Sequence, residues 1–242
     1  MTFRASRYSN YENKEYTWIK DKAYKVVKEI CQEQAQPFDN DLMEFNPYII
    51  CFCEEGFSKY MWSNYADKNQ GIQIEVNSDI LLKYSLQNQN PDAFVKCAYL
   101  SEKERENNEH IKSAITKIYN TYQVSSNLQD DLLICASCIK QDIYRSEKEY
   151  RYMIPHYNQI SISRIKNNEV VFSEEYEDEQ DIQSLHGKKY YYINFPKEAL
   201  VSINLGFDAN KDRLETIRQH LINNDYNIGN ISIKQIEEKL LK

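Results

Sequence analysis

Residues 139–155 read IKQDIYRSEKEYRYMIP, and the alternation within this stretch decides the fold class. Successive side chains of a β-strand point to opposite faces of the sheet. Glu147, Glu149 and Arg151 are therefore expected on one face, and the tyrosines that alternate with them on the other. The pattern predicts a strand with one charged face and one aromatic face.

Strands and helices are predicted on both sides of this stretch. Apolar residues at helical spacing predict helices over residues 16–34, 101–122, 128–140 and 208–224, and a short C-terminal helix at about 231–241. Strands are predicted over 48–53, 72–76, 94–100, 189–195 and 200–205. No repeat and no Pro/Gly/Ser-rich linker divides the chain, so we expect one α+β domain over residues 1–242. Its sheets are expected to be mostly antiparallel, with helices segregated around them.

Charge and hydropathy exclude several classes of protein. The 242 residues carry 30 Lys and Arg against 37 Asp and Glu, a net charge of −7 that argues against a general nucleic-acid-binding protein. The longest apolar runs are far shorter than the ~20 residues that a membrane-spanning helix needs. The N-terminus lacks the apolar core of a signal peptide, so we expect a cytoplasmic protein with no membrane partner.

The six cysteines and four histidines do not form a metal-binding pattern. Cys135 and Cys138 form a CxxC, but they lie in a mostly apolar run that is typical of a buried helix. No second pair follows at a zinc-ligand spacing, and the histidines show no HxH or HExxH arrangement. We expect buried thiols and no metal.

Two explanations of the charged face remain open. The three charges could form a solvated ladder on an exposed or edge strand. Alternatively they line a cleft, where Arg151 keeps one glutamate ionised and the other meets a substrate, since buried carboxylates must be paired. On the second explanation, removing Arg151 should destabilise the strand, while removing Glu149 should relieve repulsion and leave the melting temperature unchanged or higher.

Several segments, taken in order, carry a family resemblance. They are FRASRYSNYENKEY at 3–16, IICFCEEGFSKYMWSNYADKNQGIQIEV at 49–76, VKCAYL at 95–100, the stretch at 139–155, and INFPKEALVSINLGFDA at 193–209. The chain resembles the bacterial family called domain of unknown function 2971. Two features depart from that family's pattern: the strand that opens the family, before the segment matching residues 3–15, is missing or very short, and Cys53 stands where the pattern has serine.

The Glu-x-Glu spacing more distantly resembles the ADP-ribosyltransferase superfamily. That resemblance implies a split-sheet fold and NAD as a substrate. Glu149 would bond a ribose hydroxyl and stabilise the oxocarbenium-like state as nicotinamide leaves, while Glu147 would position the acceptor. Arg4, on an early strand that it shares with Ser6, would hold the pyrophosphate as a guanidinium fork, and Cys53 would lie at the end of the middle strand.

Three further residues complete the predicted nucleotide site. Trp62 and Tyr65 are three apart on a short helix and share a face, which is either core or a pocket wall. Arg151 would line the same cleft. The sequence thus predicts a nucleotide-dependent transferase, such as a bacterial toxin or phage-defence effector with a macromolecular acceptor. The alternative is a non-catalytic module that binds a nucleotide or metabolite, in a defence or toxin–antitoxin pair.

Overall fold

The computed structural model describes residues 1–8, 13–39, 45–87, 92–121, 128–155, 160–166, 169–175, 182–185 and 188–241. The helices are α1 (Asn13–Trp18), α2 (Tyr24–Glu33), α3 (Lys59–Tyr65), α4 (Ser78–Gln87), α5 (Glu102–Arg105), α6 (Asn108–Thr121), α7 (Leu128–Ala136) and α8 (Arg213–Asn223). The strands up to residue 154 are β1 (Thr2–Arg7), β2 (Tyr48–Cys53), β3 (Ile72–Val76), β4 (Ala93–Lys96), β5 (Ala98–Leu100), β6 (Ile139–Gln141) and β7 (Glu149–Ile154). The later strands are β8 (Ile160–Lys166), β9 (Glu169–Glu175), β10 (Ile182–Leu185), β11 (Lys188–Asn194), β12 (Leu200–Leu205) and β13 (Ser232–Gln235).

A six-stranded antiparallel sheet, in the order β10-β11-β1-β2-β7-β4, carries most of the core. The smaller sheets are β13-β12-β3, the parallel pair β5-β6 and the hairpin β8-β9. Helices and mainly antiparallel strands thus give an α+β fold, and the fold class that the predicted elements indicate is confirmed. Strand β7 lies between β2 and β4, so it is an interior strand and the edge-strand explanation of its charges is wrong.

The two faces of this sheet bury different side chains because residues alternate along each strand. On one face, Ile49 and Met153 pack with Val27, Ile115 and other apolar side chains of α2, α6 and α7. On the other face the buried side chains include Tyr48, Tyr152 and Phe195, together with Leu81 of α4. Glu149 and Arg151 have the same parity as Met153, so they extend the first face at the end of that core.

Helix boundaries differ from the predicted ones where backbone hydrogen bonds or caps intervene. The predicted helix 16–34 is α1 and α2 joined by a π-helical turn, Ile19–Ala23. Ser101 and Glu104 form the expected capping box, but α5 ends at Arg105 and α6 begins at Asn108. The predicted helix 128–140 stops at Ala136 and the chain becomes a strand at Ile139.

The predicted C-terminal helix at 231–241 is wrong. Residues Ser232–Gln235 form β13, which pairs in parallel with β12, and only the short 3-10 turn Glu238–Leu240 follows. Pairing with β12 explains this, and Ile231 and Ile233 then pack on the cluster around Leu221. Across the described ranges, no helix combines the length and hydropathy that crossing a bilayer requires.

Candidate functional site

Four charged side chains are buried together where β6 and β7 begin. Lys140, Glu147, Glu149 and Arg151 are each no more than 6% exposed. Burying an ionised group without a partner is costly, so such residues must neutralise one another. With Glu15, which pairs with Arg151, they form what we call the buried charge cluster.

Glu147 and Glu149 lie close together, but the backbone that places them differs from the predicted single strand. Glu147 ends a 3-10 helix, Asp142–Glu147, and does not belong to the strand. Lys148 then adopts a left-handed conformation with φ 43°, and β7 begins at Glu149. The expectation that both glutamates lie on one strand face is therefore wrong. They converge because both carboxylates bind the same lysine.

Lys140 is that lysine, and it lies on β6. Its Nζ is 2.5 Å from Glu147 Oε2 and also donates to Glu149 Oε2. Burial alone would lower the pKa of Lys140, but the two carboxylates raise it above its ordinary value. Lys140 is not among the residues predicted for the site, although its charge directly follows the apolar run that ends at Ile139.

Arg151 is bound on every side. Its Nε donates to Glu149 Oε1 at 2.6 Å and its Nη2 to Glu15 Oε1 at 2.6 Å. Its Nη1 donates to Tyr8 Oη at 2.7 Å and to the carbonyl of Ser137. The guanidinium thus joins β7 to α1 and to the end of α7, which are separate in the sequence.

The two carboxylates nearest Arg151 are held ionised. Burial would raise the pKa of Glu149, but Arg151 and Lys140 outweigh it and lower that pKa to about 2. Burial likewise opposes ionisation of Glu15, and Arg151 again lowers its pKa. Tyr8 Oη donates to Glu15 Oε1 at 2.8 Å and stays protonated, because burial raises the pKa of Tyr8 far above its usual range.

Among the described residues, Glu147 is the one member of the cluster that accepts a hydrogen bond from a mainly exposed side chain. Tyr65 Oη donates to Glu147 Oε1 at 2.8 Å, while 63% of Tyr65 is exposed. Trp62, three residues earlier on α3, is only 2% exposed, and its indole N–H donates to the carbonyl of Gly56 at 3.3 Å. Of the two aromatic residues predicted as pocket walls, Tyr65 therefore meets the cluster and Trp62 packs in the interior.

The remaining predicted site residues are Cys53, Ser6 and Arg4. Cys53 is the β2 partner of Glu149, and its Sγ donates to the carbonyl of Glu55 at 3.3 Å. Ser6 is half-buried on β1, opposite Ile49. The β1 backbone places Arg4 opposite Tyr192, but the side chain of Arg4 lies outside the described part of the chain. None of the hydrogen bonds that hold the cluster involves Cys53 or Ser6.

The carboxylates of Glu147 and Glu149 are held by different kinds of hydrogen-bond donor. Three carboxylates and two cations leave the cluster one net negative charge. Both oxygens of Glu149 are bound by buried cations, whereas Glu147 Oε1 is bound by a phenol at the surface. Within the described ranges, no set of three His, Cys, Asp or Glu side chains is placed to hold a metal ion. Of these two carboxylates, Glu147 is therefore the one whose second oxygen is held by an exposed side chain.

Comparison with known proteins supports one of the two resemblances. The family model described as Protein of unknown function (DUF2971) matches residues 61–152, which include Tyr65, Lys140 and the segment Glu147–Arg151. The match agrees with the family that the sequence motifs indicate over that part of the chain. No curated protein and no solved structure matches the chain, so the resemblance to ADP-ribosyltransferases receives no support.

Proposed function

We propose that the protein is a nucleotide-dependent transferase of the ADP-ribosyltransferase type, and that Glu147 binds the nicotinamide ribose of NAD. The observation that carries this proposal is the hydrogen bond from Tyr65 Oη to Glu147 Oε1, made by a tyrosine that is 63% exposed. A ribose hydroxyl is a donor of the same kind, so it can take the place of the phenol without changing the rest of the cluster.

The chemistry needs an anion held close to the carbon that becomes positively charged as nicotinamide leaves. Lys140 fixes the carboxylate of Glu147 through Oε2, and Oε1 accepts from the exposed Tyr65. A prearranged charge of this kind stabilises the transition state without reorganisation. In the hydrolytic form of the reaction, the bond from ribose to nicotinamide breaks, water adds to the ribose carbon, and nicotinamide, ADP-ribose and one proton are released.

The two glutamates thus take roles that differ from those implied by the ADP-ribosyltransferase resemblance. Glu149 was expected to meet the ribose, but its oxygens accept from Arg151 and Lys140. Glu149 instead acts as a positioning residue, because it holds the lysine that orients Glu147. The macromolecular acceptor, the antitoxin partner and the role in defence stay predictions from the sequence.

Nicotinamide release from NAD tests the proposal. We expect release by the wild-type protein, and a fall of about 10²-fold or more in Glu147→Gln, the usual cost of losing a charge-stabilising contact. Glu54→Gln is the matched control, since Glu54 is a half-exposed carboxylate paired with Lys96 at 2.7 Å. Equal rates in wild type and Glu147→Gln, or no release with any acceptor offered, would contradict the proposal.

A second candidate is a binding module that holds the nucleotide without turnover. The complete satisfaction of Glu149 by two buried cations favours it, because an immobile ion pair resembles a structural element more than a reacting group. Calorimetric titration with NAD and with ADP-ribose separates the two candidates. Binding of both without nicotinamide release, weakened by Glu147→Gln, would support the binding module.

A further inference from the structure

Arg105 differs from the other arginines whose side chains the structure describes. Arg145 donates to the carbonyl of Tyr99, Arg213 to the carbonyl of Gln70, and Arg151 and Arg218 pair with glutamates. The guanidinium of Arg105 has no hydrogen bond or ion pair within the described part of the chain, and its Nε is buried without a partner. A buried donor left without a partner destabilises the folded protein.

Trp18 holds this guanidinium in place. The guanidinium carbon of Arg105 lies 4.0 Å from the centre of the Trp18 ring, a cation–π contact. The indole N–H of Trp18 also donates to the backbone carbonyl of Arg105 at 3.3 Å. The end of α1 and the end of α5 therefore brace each other, and the arginine is fixed before any ligand arrives.

The position of Arg105 links it to the buried charge cluster. Trp18 and Glu15 are three residues apart on α1, a spacing that places side chains on one helix face. Burial lowers the pKa of Arg105, and the nearby Glu15 and Tyr8 oppose this shift. Arg105 thus lies at the Glu15 end of the cluster, while Glu147 lies at the end where Lys140 and Tyr65 meet.

A lysine paired with the residue that follows Arg105 is already neutralised. Lys22 pairs with Glu106 at 3.1 Å, next to Arg105 in the sequence. Arg105 itself has no carboxylate in direct contact among the described residues. A planar guanidinium offers two parallel N–H donors, the geometry that matches two oxygens of one phosphate.

We propose that Arg105, stacked on Trp18, is a phosphate-binding subsite that takes the pyrophosphate of a nucleotide. The nucleotide as its substrate class rests on the proposed function, since the same nucleotide would place its ribose at Glu147. Phosphate oxygens would complete the hydrogen bonds of a guanidinium for which the described residues supply no acceptor. The subsite assigns the phosphate contact to a residue other than Arg4.

Titration with inorganic pyrophosphate at low ionic strength tests the subsite without NAD. We expect the wild-type protein to bind pyrophosphate, Arg105→Gln to weaken binding at least 10-fold, and Arg213→Gln to change it less than twofold. Arg213→Gln removes the same charge from an exposed arginine near Gln70, so it controls for the general field of the protein. Binding by Arg105→Gln within twofold of wild type, or no wild-type binding at millimolar pyrophosphate, would overturn the proposal.

Arg105→Lys keeps the charge and the aliphatic stem, so it serves if the glutamine variant does not fold. We expect it to bind pyrophosphate several-fold more weakly than wild type, because an ammonium lacks the planar fork. Binding equal to wild type would overturn the assigned geometry.

The subsite and the proposed function can fail separately. Pyrophosphate binding through Arg105 without cleavage of NAD would support the subsite and contradict the transferase proposal. Cleavage of NAD that depends on Glu147, with the KM for NAD unchanged in Arg105→Gln, would support the transferase proposal and overturn the subsite.

Discussion

Glu149 and Arg151 are neighbours on one strand face, and Arg151 Nε donates to Glu149 Oε1 at 2.6 Å. The pair is buried, and Lys140 approaches the same carboxylate from the other side. The repulsion between Glu147 and Glu149 that the sequence suggests is therefore already offset by a lysine. This changes the stability expected of variants at both positions.

Removing either partner of the pair should destabilise the protein. Arg151→Ala leaves Glu149 and Glu15 without their shared cation, and we expect a loss of about 3–5 kcal/mol, the usual cost of breaking a buried ion pair. Glu149→Ala leaves Lys140 and Arg151 facing each other, so we expect a loss instead of the gain that the sequence alone suggests. Urea unfolding at pH 7 measures both. A free energy of unfolding of Glu149→Ala at or above that of wild type would show that Glu147 and Glu149 do repel each other.

Acid should weaken the fold through Glu149. Its pKa falls from an ordinary 4.5 to about 2 in the folded protein, so its ionised form stabilises the folded state above pH 4.5. That contribution is lost as the pH falls from 4.5 to 2 and amounts to about 3 kcal/mol at 1.4 kcal/mol per unit. Urea unfolding of wild type and Glu149→Gln between pH 7 and pH 2 measures it. The difference between them should shrink below pH 4.5, and a constant difference would contradict the assignment.

Tyr65→Phe tests whether the phenol competes with a ligand. The exposed side chain contributes little to the core, so we expect a stability change below about 1 kcal/mol. Without the phenol, Glu147 Oε1 is free for a ribose hydroxyl, and the Kd for NAD should fall about fivefold, the equivalent of one hydrogen bond of about 1 kcal/mol. Tyr60→Phe, on the same helix, is the control. A higher Kd for NAD in Tyr65→Phe than in wild type would show that the phenol contacts the ligand instead of competing with it.

Gly206 is expected to tolerate no side chain. A Cβ built there would lie 1.8 Å from the carbonyl oxygen of Asn69, a backbone atom that cannot move aside alone. Gly206→Ala should therefore lower the free energy of unfolding by more than about 2 kcal/mol. Gly229→Ala is the control, since its nearest contact would be 3.4 Å from a side-chain oxygen of Asn227. Equal midpoints of chemical unfolding for the two variants would contradict the close approach.

Local patterns predicted much of the fold and less of the site. Strands β3 and β12 and the capping box at Ser101 follow from alternation and spacing over a few residues. The buried thiols of Cys135 and Cys138 follow from the apolar run around them. Strand β13 was predicted as a helix because its four residues owe their conformation to pairing with β12.

The members of the buried charge cluster were only partly predictable. Glu147, Glu149 and Arg151 lie close together in the sequence, so their pattern was visible. Glu15 reaches Arg151 across 136 residues, and no local signal indicates that contact. The apolar neighbours of Lys140 continue the periodicity of α7, so the sequence predicts that this lysine ends a helix. Only the turn after Ala136 places it on a strand.

The two halves of the buried charge cluster differ in how far apart their members lie along the chain. Lys140 is seven residues from Glu147 and nine from Glu149, whereas Arg151 reaches Tyr8 across 143 residues. Closing a short loop loses less chain entropy than closing a long one. The lysine half can therefore form early in folding, and the arginine half closes only when the two distant segments dock. Arg151→Ala should accordingly speed unfolding and leave the folding rate almost unchanged, so the lifetime of the native state depends on its last contact to form.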